Sequence, residues 1–493
     1  MKTKRILIPL TVFLIVLFSG CSKDYLDTIS SDIVTEEQLR ELGESSPDAI
    51  VKIVEPLVEG FYTFMIQYNT QGSTGAVHDD FGQKAIDQIM EIMGEDVILY
   101  TAGYGWFNWD YILDYRLQQW RRTFQLWFYY YKLINNANAV LEKIDPETVI
   151  PELRYLAGQA FAVRGMSYHY LIQLYQHTYN GHENAPGVPV YTESEVLLAR
   201  QPVGDVYNQI IADLEKAYEM LDGFEPNGKT KITKRVTAGL LARAYLSMEN
   251  WEQAAFYANT ARQGMSPMTA VQYNEGFNSI SNPEWIWGAE ITPENTTMFA
   301  SWYAHMDPYS PGYAGAIGMF RLIDQRLYNS FPASDARKLA FNDPANFNYD
   351  SQFPDLTSWK WRDKGNWVSD VHFMRAAEMY LIESEALSYT NPGQAQQVLY
   401  DLIVTRDPGY VKPSTTGEEL REEIIRQKRF ELWCEGQNWL DIKRLKKGIV
   451  RTGSNHRSDA EINLQPEADD FVFQIPLREI EMNSMINDAD QNP

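Results

Sequence analysis

The stretch WCEGQNWLDIKR, residues 433–444, gathers a thiol (Cys434), carboxylates (Glu435, Asp441), cations (Lys443, Arg444) and indoles (Trp433, Trp439) into one short segment. So dense a set of reactive groups reads either as a catalytic centre or as part of a frame. A nucleophilic thiol needs a nearby imidazole or a cationic setting to form thiolate. Cys434 instead stands between Trp433 and Glu435, which would raise its pKa. The frame reading fits the surroundings better. A helical stripe runs over 417–435 and Gly436 interrupts it. The segment is therefore expected to be a helix corner, with Cys434 a small core residue. Glu435, Asp441 and Arg444 would tie the two halves of the corner together.

Outward from this corner the dominant period is 3.6. In VYNQIIADLEKAYEML, Val206, Ile210, Ile211, Leu214, Ala217, Tyr218 and Leu221 share one face. Similar stripes predict helices near 120–145, 152–176, 233–248, 251–263, 372–390, 394–405 and 417–435. Strand signals are few and short: EWIWGAEI at 284–291 and FVFQIP at 471–476. Two helix pairs carry small residues at contact spacing. In the first, Ala242 and Tyr245 precede Ala254, Ala258 and Ala261; in the second, Ala386 precedes Ala395, Leu399 and Leu402. Small residues at those intervals let antiparallel helices approach closely, which resembles the tetratricopeptide unit. The fold class expected is mostly α: a tetratricopeptide-like helix-pair scaffold with a loop-rich, variable part and a few short strands.

The N-terminus speaks to location. Lys2, Lys4 and Arg5 precede an apolar run from Ile6 to Phe18, then Ser19, Gly20 and Cys21. That run falls short of the ~20 residues needed to span a bilayer, so it reads as a signal peptide over 1–20. A Cys directly after small residues is the bacterial lipobox arrangement, which makes Cys21 the lipidated N-terminus and 21–35 a polar tether. The chain has 2 Cys, so with Cys21 acylated Cys434 has no disulfide partner. Net charge is −23, and losing the basic leader deepens it. So acidic a surface repels nucleic acid at long range, and no basic cluster with interleaved aromatics offsets that. No nucleic-acid partner is expected.

Several of these stretches together resemble one family, the SusD/RagB-like nutrient-binding outer-membrane lipoproteins of Bacteroidetes. The resemblance rests on CSKDYLD after the signal, on YYYKLINNANAVLEKI with Ile134, Asn135 and Asn138, and on GQAFAVRGMSYHYLIQLY with Arg164. It continues in HFMRAAEMYLIESEAL with Arg375, Ala376, Ala377, Glu378, Tyr380 and Glu383. The opening stretch is similar to the family's corner segment at Glu431, Leu432, Glu435, Gly436, Asp441 and Arg444, and FQIPLREIEMN to its C-terminal Ile475–Pro476 with Glu479 and Asn483. Gln427, Lys428 and Asn438 depart from the common pattern and put local ion pairs in question. The resemblance implies one SusD-like domain over 36–493, with ligand-binding insertions near 66–118 and 265–370. It further implies a cell-surface protein, anchored to the outer membrane by lipid, that captures oligosaccharide and delivers it to a SusC-like TonB-dependent transporter without catalysis. A peptide-binding member of the same family, a glycoside hydrolase and a purely structural scaffold are the alternatives.

Catalytic signatures are missing: there is no H-E-x-x-H, G-x-S-x-G, Walker loop or dinucleotide glycine pattern. The 7 His are not paired at metal-ligand spacing, so no metal is expected, and no cofactor is implied. A carboxylate pair of the glycosidase type can come from distant segments and is invisible to sequence. Aromatics, in contrast, are plentiful: 13 Trp, 30 Tyr and 22 Phe. A sugar's apolar C–H face stacks on such rings, and its hydroxyls need amides and carboxylates. Rings in loops are the ones free to do this. YTAGYGWFNWDY, 100–111, offers Tyr104, Trp106 and Trp109 with Asn108, and VHDDFGQ upstream adds His78, Asp79 and Asp80. FASWYAHMDPYSPGYAG, 299–315, offers Trp302, Tyr303, Tyr309 and Tyr313. SWKWRDKGNW, 358–367, is a weaker candidate, since Trp359 and Trp361 could be a strand's buried face.

Overall fold

A computed structural model describes residues 46–193 and 196–493. The expected signal peptide over 1–20, the expected lipidation at Cys21 and the expected tether over 21–35 lie outside the described residues. The chain divides into two compact units, Met1–Ile53 and Val54–Pro493. Helix α1, Pro47–Met65, begins in the first and ends in the second. Among the described residues all further elements belong to the second.

The scaffold is a run of helices: α2 (Gln83–Met93), α3 (Arg121–Leu141), α4 (Pro151–Tyr175), α5 (Val203–Met220), α6 (Lys234–Ser247), α7 (Trp251–Arg262), α8 (Ala376–Thr390), α9 (Pro392–Ile403), α10 (Gly417–Glu431) and α11 (Asn438–Arg444). From α3 to α10 each helix packs on the next in chain order, and α7 meets α8 although the 265–370 insertion separates them in sequence. The predicted stripes therefore became helices in every case. One needs trimming: the stripe over 372–390 opens as a strand, and α8 starts at Ala376.

Close approach explains the small residues. Ala242, Ala254, Ala258 and Ala261 are fully buried between α6 and α7, as are Ala386 and Ala395 between α8 and α9. Tyr245 lies flat against Tyr257 at 5.7 Å. Helix α4 is buried nearly all round, and glycine lets α5 come close to it. A Cβ at Gly165 would sit 2.9 Å from the Leu214 side chain, and one at Gly158 2.8 Å from Leu221. Arg164 then pins three helices at once. Its guanidinium donates to both oxygens of Asp213 on α5 (2.8 and 2.7 Å) and to Asn138 on α3 (2.9 Å).

Three two-stranded antiparallel ribbons join distant parts of the chain: β1 (Val97–Leu99) with β3 (Arg321–Ile323), β2 (Trp285–Ala289) with β4 (Val371–Arg375), and β5 (Ile449–Val450) with β6 (Asn463–Leu464). The predicted strand EWIWGAEI is β2. The other, FVFQIP, is not a strand. Phe471, Val472 and Phe473 are buried as expected, but the Phe473 amide bonds Leu174 at the end of α4 and the Gln474 amide bonds Arg116. Pro476 has no N–H for a ladder and instead leads into a short helix, Leu477–Met482.

The corner at 431–444 holds the scaffold to its insertions. Cys434 and Gly436 take positive φ (59° and 85°), so the chain reverses there. A Cβ on Gly436 would fall 2.9 Å from Asp87, which fixes glycine at that position. The amides of Gly436, Gln437 and Asn438 all donate to one carboxylate oxygen of Glu91 on α2 (2.7, 2.8 and 3.2 Å). Glu435 accepts from Arg375 (2.7 and 2.8 Å), Lys360 (2.6 Å) and His372 (2.9 Å). Glu431 pairs with Arg375 and Arg406 at 2.8 Å each and with Arg337 at 3.2 Å. Burial opposes the charge on both glutamates, yet these cations hold them well below the usual carboxylate range. Glu284, just before β2, closes the network through Arg375 (2.6 Å) and Arg406 (2.9 Å). On the far side Asp441 and Glu385 share Lys428 and Arg444. Lys428 thus makes ion pairs even though it departs from the family pattern. Burial pushes the Cys434 thiol far up, and this residue is a core hydrophobe.

Candidate functional site

The two insertions meet because their backbones pair. Val97 faces Ile323, Ile98 faces Leu322 and Leu99 faces Arg321, and the Tyr100 amide extends the ribbon to the Phe320 carbonyl at 3.1 Å. Just beyond, Gly103 (φ 51°) turns the chain over Met319, whose sulfur a Cβ would strike at 2.3 Å. Gly105 follows with φ 91°. These turns leave Tyr104 outermost, 72% exposed.

One continuous aromatic surface results. His78 lies 5.7 Å from Trp106 with the rings near parallel (29°) and 6.3 Å from Phe299 at 11°. Tyr313 meets His78 edge-on at 5.7 Å and Trp106 at 6.3 Å, and Tyr104 stands edge-on to Tyr313 at 6.1 Å. Tyr68 approaches His78 at 5.9 Å, and Trp367 lies 5.0 Å from Phe299. The Tyr313 hydroxyl hydrogen-bonds Nδ1 of His78. From beneath, the buried His305 stacks on Tyr313 at 4.7 Å and donates from Nε2 to the His78 carbonyl at 2.8 Å. Partial burial lowers the His78 pKa, against a pull upward from Asp79; the ring is neutral at neutral pH.

The polar residues predicted here do something else. Asp79 is buried and paired with Arg121 (2.5 Å) and Arg122 (2.6 Å). Asp80 accepts from Thr70 at 2.9 Å. Asn108 accepts from Arg457 at 2.6 Å. Arg122 organises this layer: besides Asp79 it takes both oxygens of Asp110 at 2.8 Å, so one buried guanidinium on α3 anchors the loop carrying His78 and the loop carrying Trp106. These groups support the surface from behind.

The second predicted cluster also divides. Tyr313 joins the surface. Trp302 is 2% exposed, packed 4.9 Å from Trp361 and under the Lys84 ammonium at 4.3 Å. Tyr303 is equally buried and donates its hydroxyl to the carbonyls of Phe277 and, at 3.0 Å, Asp370. Both belong to the core. Tyr309 is exposed but sits in a separate group, 4.7 Å from Phe353 and 5.2 Å from Trp359, with the Arg362 guanidinium 4.0 Å over its ring. Trp109 heads a third group with Tyr115 and Trp120. Trp359 and Trp361 are buried as the alternative reading had it, though only Thr357 and Ser358 before them form strand-like bridges.

Sequence reasoning missed Tyr68, Phe299 and Trp367. Each lies in or beside a turn-rich stretch, and that was the available signal. Among the described residues no group of three or more His, Cys, Asp or Glu could hold a metal ion. No helix there is long and apolar enough to cross a membrane. What the surface offers is ring faces and edges backed by a rigid polar layer, an arrangement suited to stacking on a ligand.

Comparison with known proteins agrees with this architecture. A SusD-like family model described as "starch-binding associating with outer membrane" matches residues 69–246, and a SusD family model matches 325–493. The stretch between the matches, 247–324, carries Phe299 and Tyr313. The chain is similar to SusD-like protein P2 of Formosa agariphila, with 24% identity over 73% of this chain and 78% of that protein. It is similar to the crystal structure of a SusD-like carbohydrate binding protein from Bacteroides vulgatus, with 26% identity, a TM-score of 0.77, and coverage of 89% of this chain and 98% of that one. Surface glycan-binding protein A from Bacteroides uniformis shares the fold, at 16% identity, a TM-score of 0.68, and coverage of 90% of this chain and 99% of that one.

Proposed function

The chain belongs to the SusD family, and from that premise we propose that it captures oligosaccharide at the cell surface on the aromatic surface of His78, Tyr104, Trp106, Phe299 and Tyr313. The single observation that carries this reading is that two insertions bring together rings as distant in sequence as His78 and Tyr313 over a layer of buried ion pairs. An apolar C–H face gains from lying on Trp106 or Phe299, and the Tyr104 hydroxyl and the unpaired His78 nitrogen at the edge supply hydroxyl partners. No nucleophile or acid–base pair is needed for capture, and the protein acts as a binder without turnover. The family's outer-membrane association fits acylation at Cys21, with the binding surface facing outward. A SusC-like TonB-dependent transporter would then take the captured glycan. A peptide could also use ring faces, but it would add backbone donors and acceptors that this surface does not match with an exposed strand edge.

The test is retardation of the purified protein in gels containing single plant, algal or microbial polysaccharides. Retardation by at least one, abolished by Trp106→Ala, supports the reading; no retardation with saturable peptide binding overturns it. Palmitate labelling that depends on Cys21, and co-purification of a large β-barrel with the labelled form, test the anchor and the transporter.

A further inference from the structure

A second aromatic feature leads away from the loop surface. Trp109 follows Trp106 in the same turn, and its indole nitrogen would lie 3.6 Å from a Cβ at Gly105. Trp109 is stacked on Tyr115 (5.8 Å, 29°), and Tyr115 lies 5.4 Å from Trp120. Trp120 caps the N-terminus of α3. Phe124 and Phe128 follow within α3 four residues apart, which puts both rings on one face of the helix. The Phe124 and Phe128 rings are 5.5 Å apart. Four residues advance ~6 Å along a helix, a step similar to the length of one sugar ring. Trp109 and Trp120 are both substantially exposed, as stacking requires.

The track ends at an open cavity of about 430 Å³, walled on one side by Phe128 and Tyr131 of α3 and rimmed by Lys132, Asn135 and Glu193. That volume is within the range of ligand sites, which are apolar with a few polar groups. Among the described residues the side chains of Lys132, Asn135 and Glu193 have no hydrogen-bond or ion-pair partner. Arg478 covers the Phe124 ring at 5.2 Å and Glu479 accepts from the Trp127 indole at 3.3 Å. Among the described residues two cations and two carboxylates line the cavity, which suits an uncharged ligand and not an anion.

We propose that this cavity, with the ring track from Trp109 to Phe128, is a second glycan site that holds the continuing chain of a neutral oligosaccharide bound at the Trp106 surface. The proposal rests on the function inferred above and adds a second region, a chain direction and a charge class. Its consequence is that affinity grows with oligosaccharide length beyond what the loop surface alone can read.

The experiment titrates malto-, cello-, xylo- and manno-oligosaccharides, from disaccharide to octasaccharide, into the wild type, Trp106→Ala, and the double variant Phe128→Ala with Asn135→Ala. The wild type is expected to bind the longer members tighter. The double variant should keep the wild-type affinity for short members and lose about tenfold for long ones, while Trp106→Ala weakens binding at every length. Lys132→Ala, an exposed change, carries the same expectation with a smaller loss should the double variant unfold. An unchanged length dependence in these variants overturns the second site and leaves the loop surface standing. Length dependence that survives while the β-barrel no longer co-purifies makes this face a protein-docking surface and also overturns it. A wild type that binds no member of any series overturns the second site together with the function beneath it.

Discussion

The corner at 431–444 and the surface around His78 are both crowded with side chains of functional type, yet they have opposite fates. At the corner every carboxylate is paired with buried cations, and Lys443 is held by the carbonyls of Gln173 and Gln176. Glu431 and Glu435 are fully ringed by Arg337, Lys360, Arg375 and Arg406, and nothing is left to act on a ligand. On the aromatic surface the rings satisfy one another only at edges and partial overlaps, so faces remain open. Reactive residue types do not make a site; unsaturated ones do. The two regions are also coupled. Glu284, Lys360 and Arg375 belong to the 265–375 part of the chain, so the corner's ion pairs hold the insertion that carries Phe299 and Tyr313.

The largest effect should come from breaking the corner. Glu431→Ala leaves Arg337, Arg375 and Arg406 buried with a carboxylate missing, and such a half-broken pair costs about 3–5 kcal/mol. Chemical denaturation should show the loss in the midpoint. Acid should act in the same direction on the wild type. Glu431 and Glu435 are depressed in the folded state, so their contribution is present above the unfolded carboxylate range, about pH 4.5, and fades as pH falls below it. The acid loss between pH 7 and pH 3 should be smaller in Glu431→Gln than in the wild type, and an equal loss in the two would contradict the buried network.

Next comes the divided second cluster. Trp302→Ala should cost about 3 kcal/mol or more, as expected for a large core ring, and should weaken glycan binding only through the loss of folded protein. Tyr313→Ala should leave the unfolding midpoint nearly unchanged and weaken binding about tenfold. If the two variants exchanged these phenotypes, the assignment of core and surface within 299–315 would be wrong.

A smaller effect concerns Glu91, the acceptor for the corner's three amides. Burial pushes its pKa up to about 7, although those amides oppose the rise. The folded state therefore holds this proton more tightly than the unfolded chain. That contribution is full below the unfolded value of 4.5 and is lost as pH rises through about 7. Glu91→Gln keeps the accepting oxygen and removes the titration. It should flatten the stability–pH curve between pH 5 and 8 by about 1–3 kcal/mol, measured by denaturation across that interval.

How much of this was legible in the sequence follows from what each signal depends on. The helices were readable because a 3.6-residue stripe is a local property, and even α1 carries one at Val54, Val58, Phe61 and Met65 that went unread. The corner was readable from Gly436 and from Trp433 and Glu435 on either side of Cys434. The site was readable only as far as composition goes. Trp302 and Tyr313 stand in the same aperiodic stretch, and which one faces solvent is decided by the β1–β3 pairing with residues more than 200 positions away. Asp79, Asp80 and Asn108 looked like ligand contacts because their partners, Arg122, Thr70 and Arg457, are not marked in the sequence as such. FVFQIP alternates like a strand, but its hydrogen bonds go to Leu174 and Arg116, and no local pattern records that.

The most direct test of glycan capture by the aromatic surface is one pair of curves on Trp106→Ala: titration with a polysaccharide that retards the wild type, and denaturant unfolding. We expect the affinity to fall by about tenfold or more while the unfolding midpoint stays at the wild-type value. Unchanged affinity, or a loss that merely tracks a lowered midpoint, would contradict it.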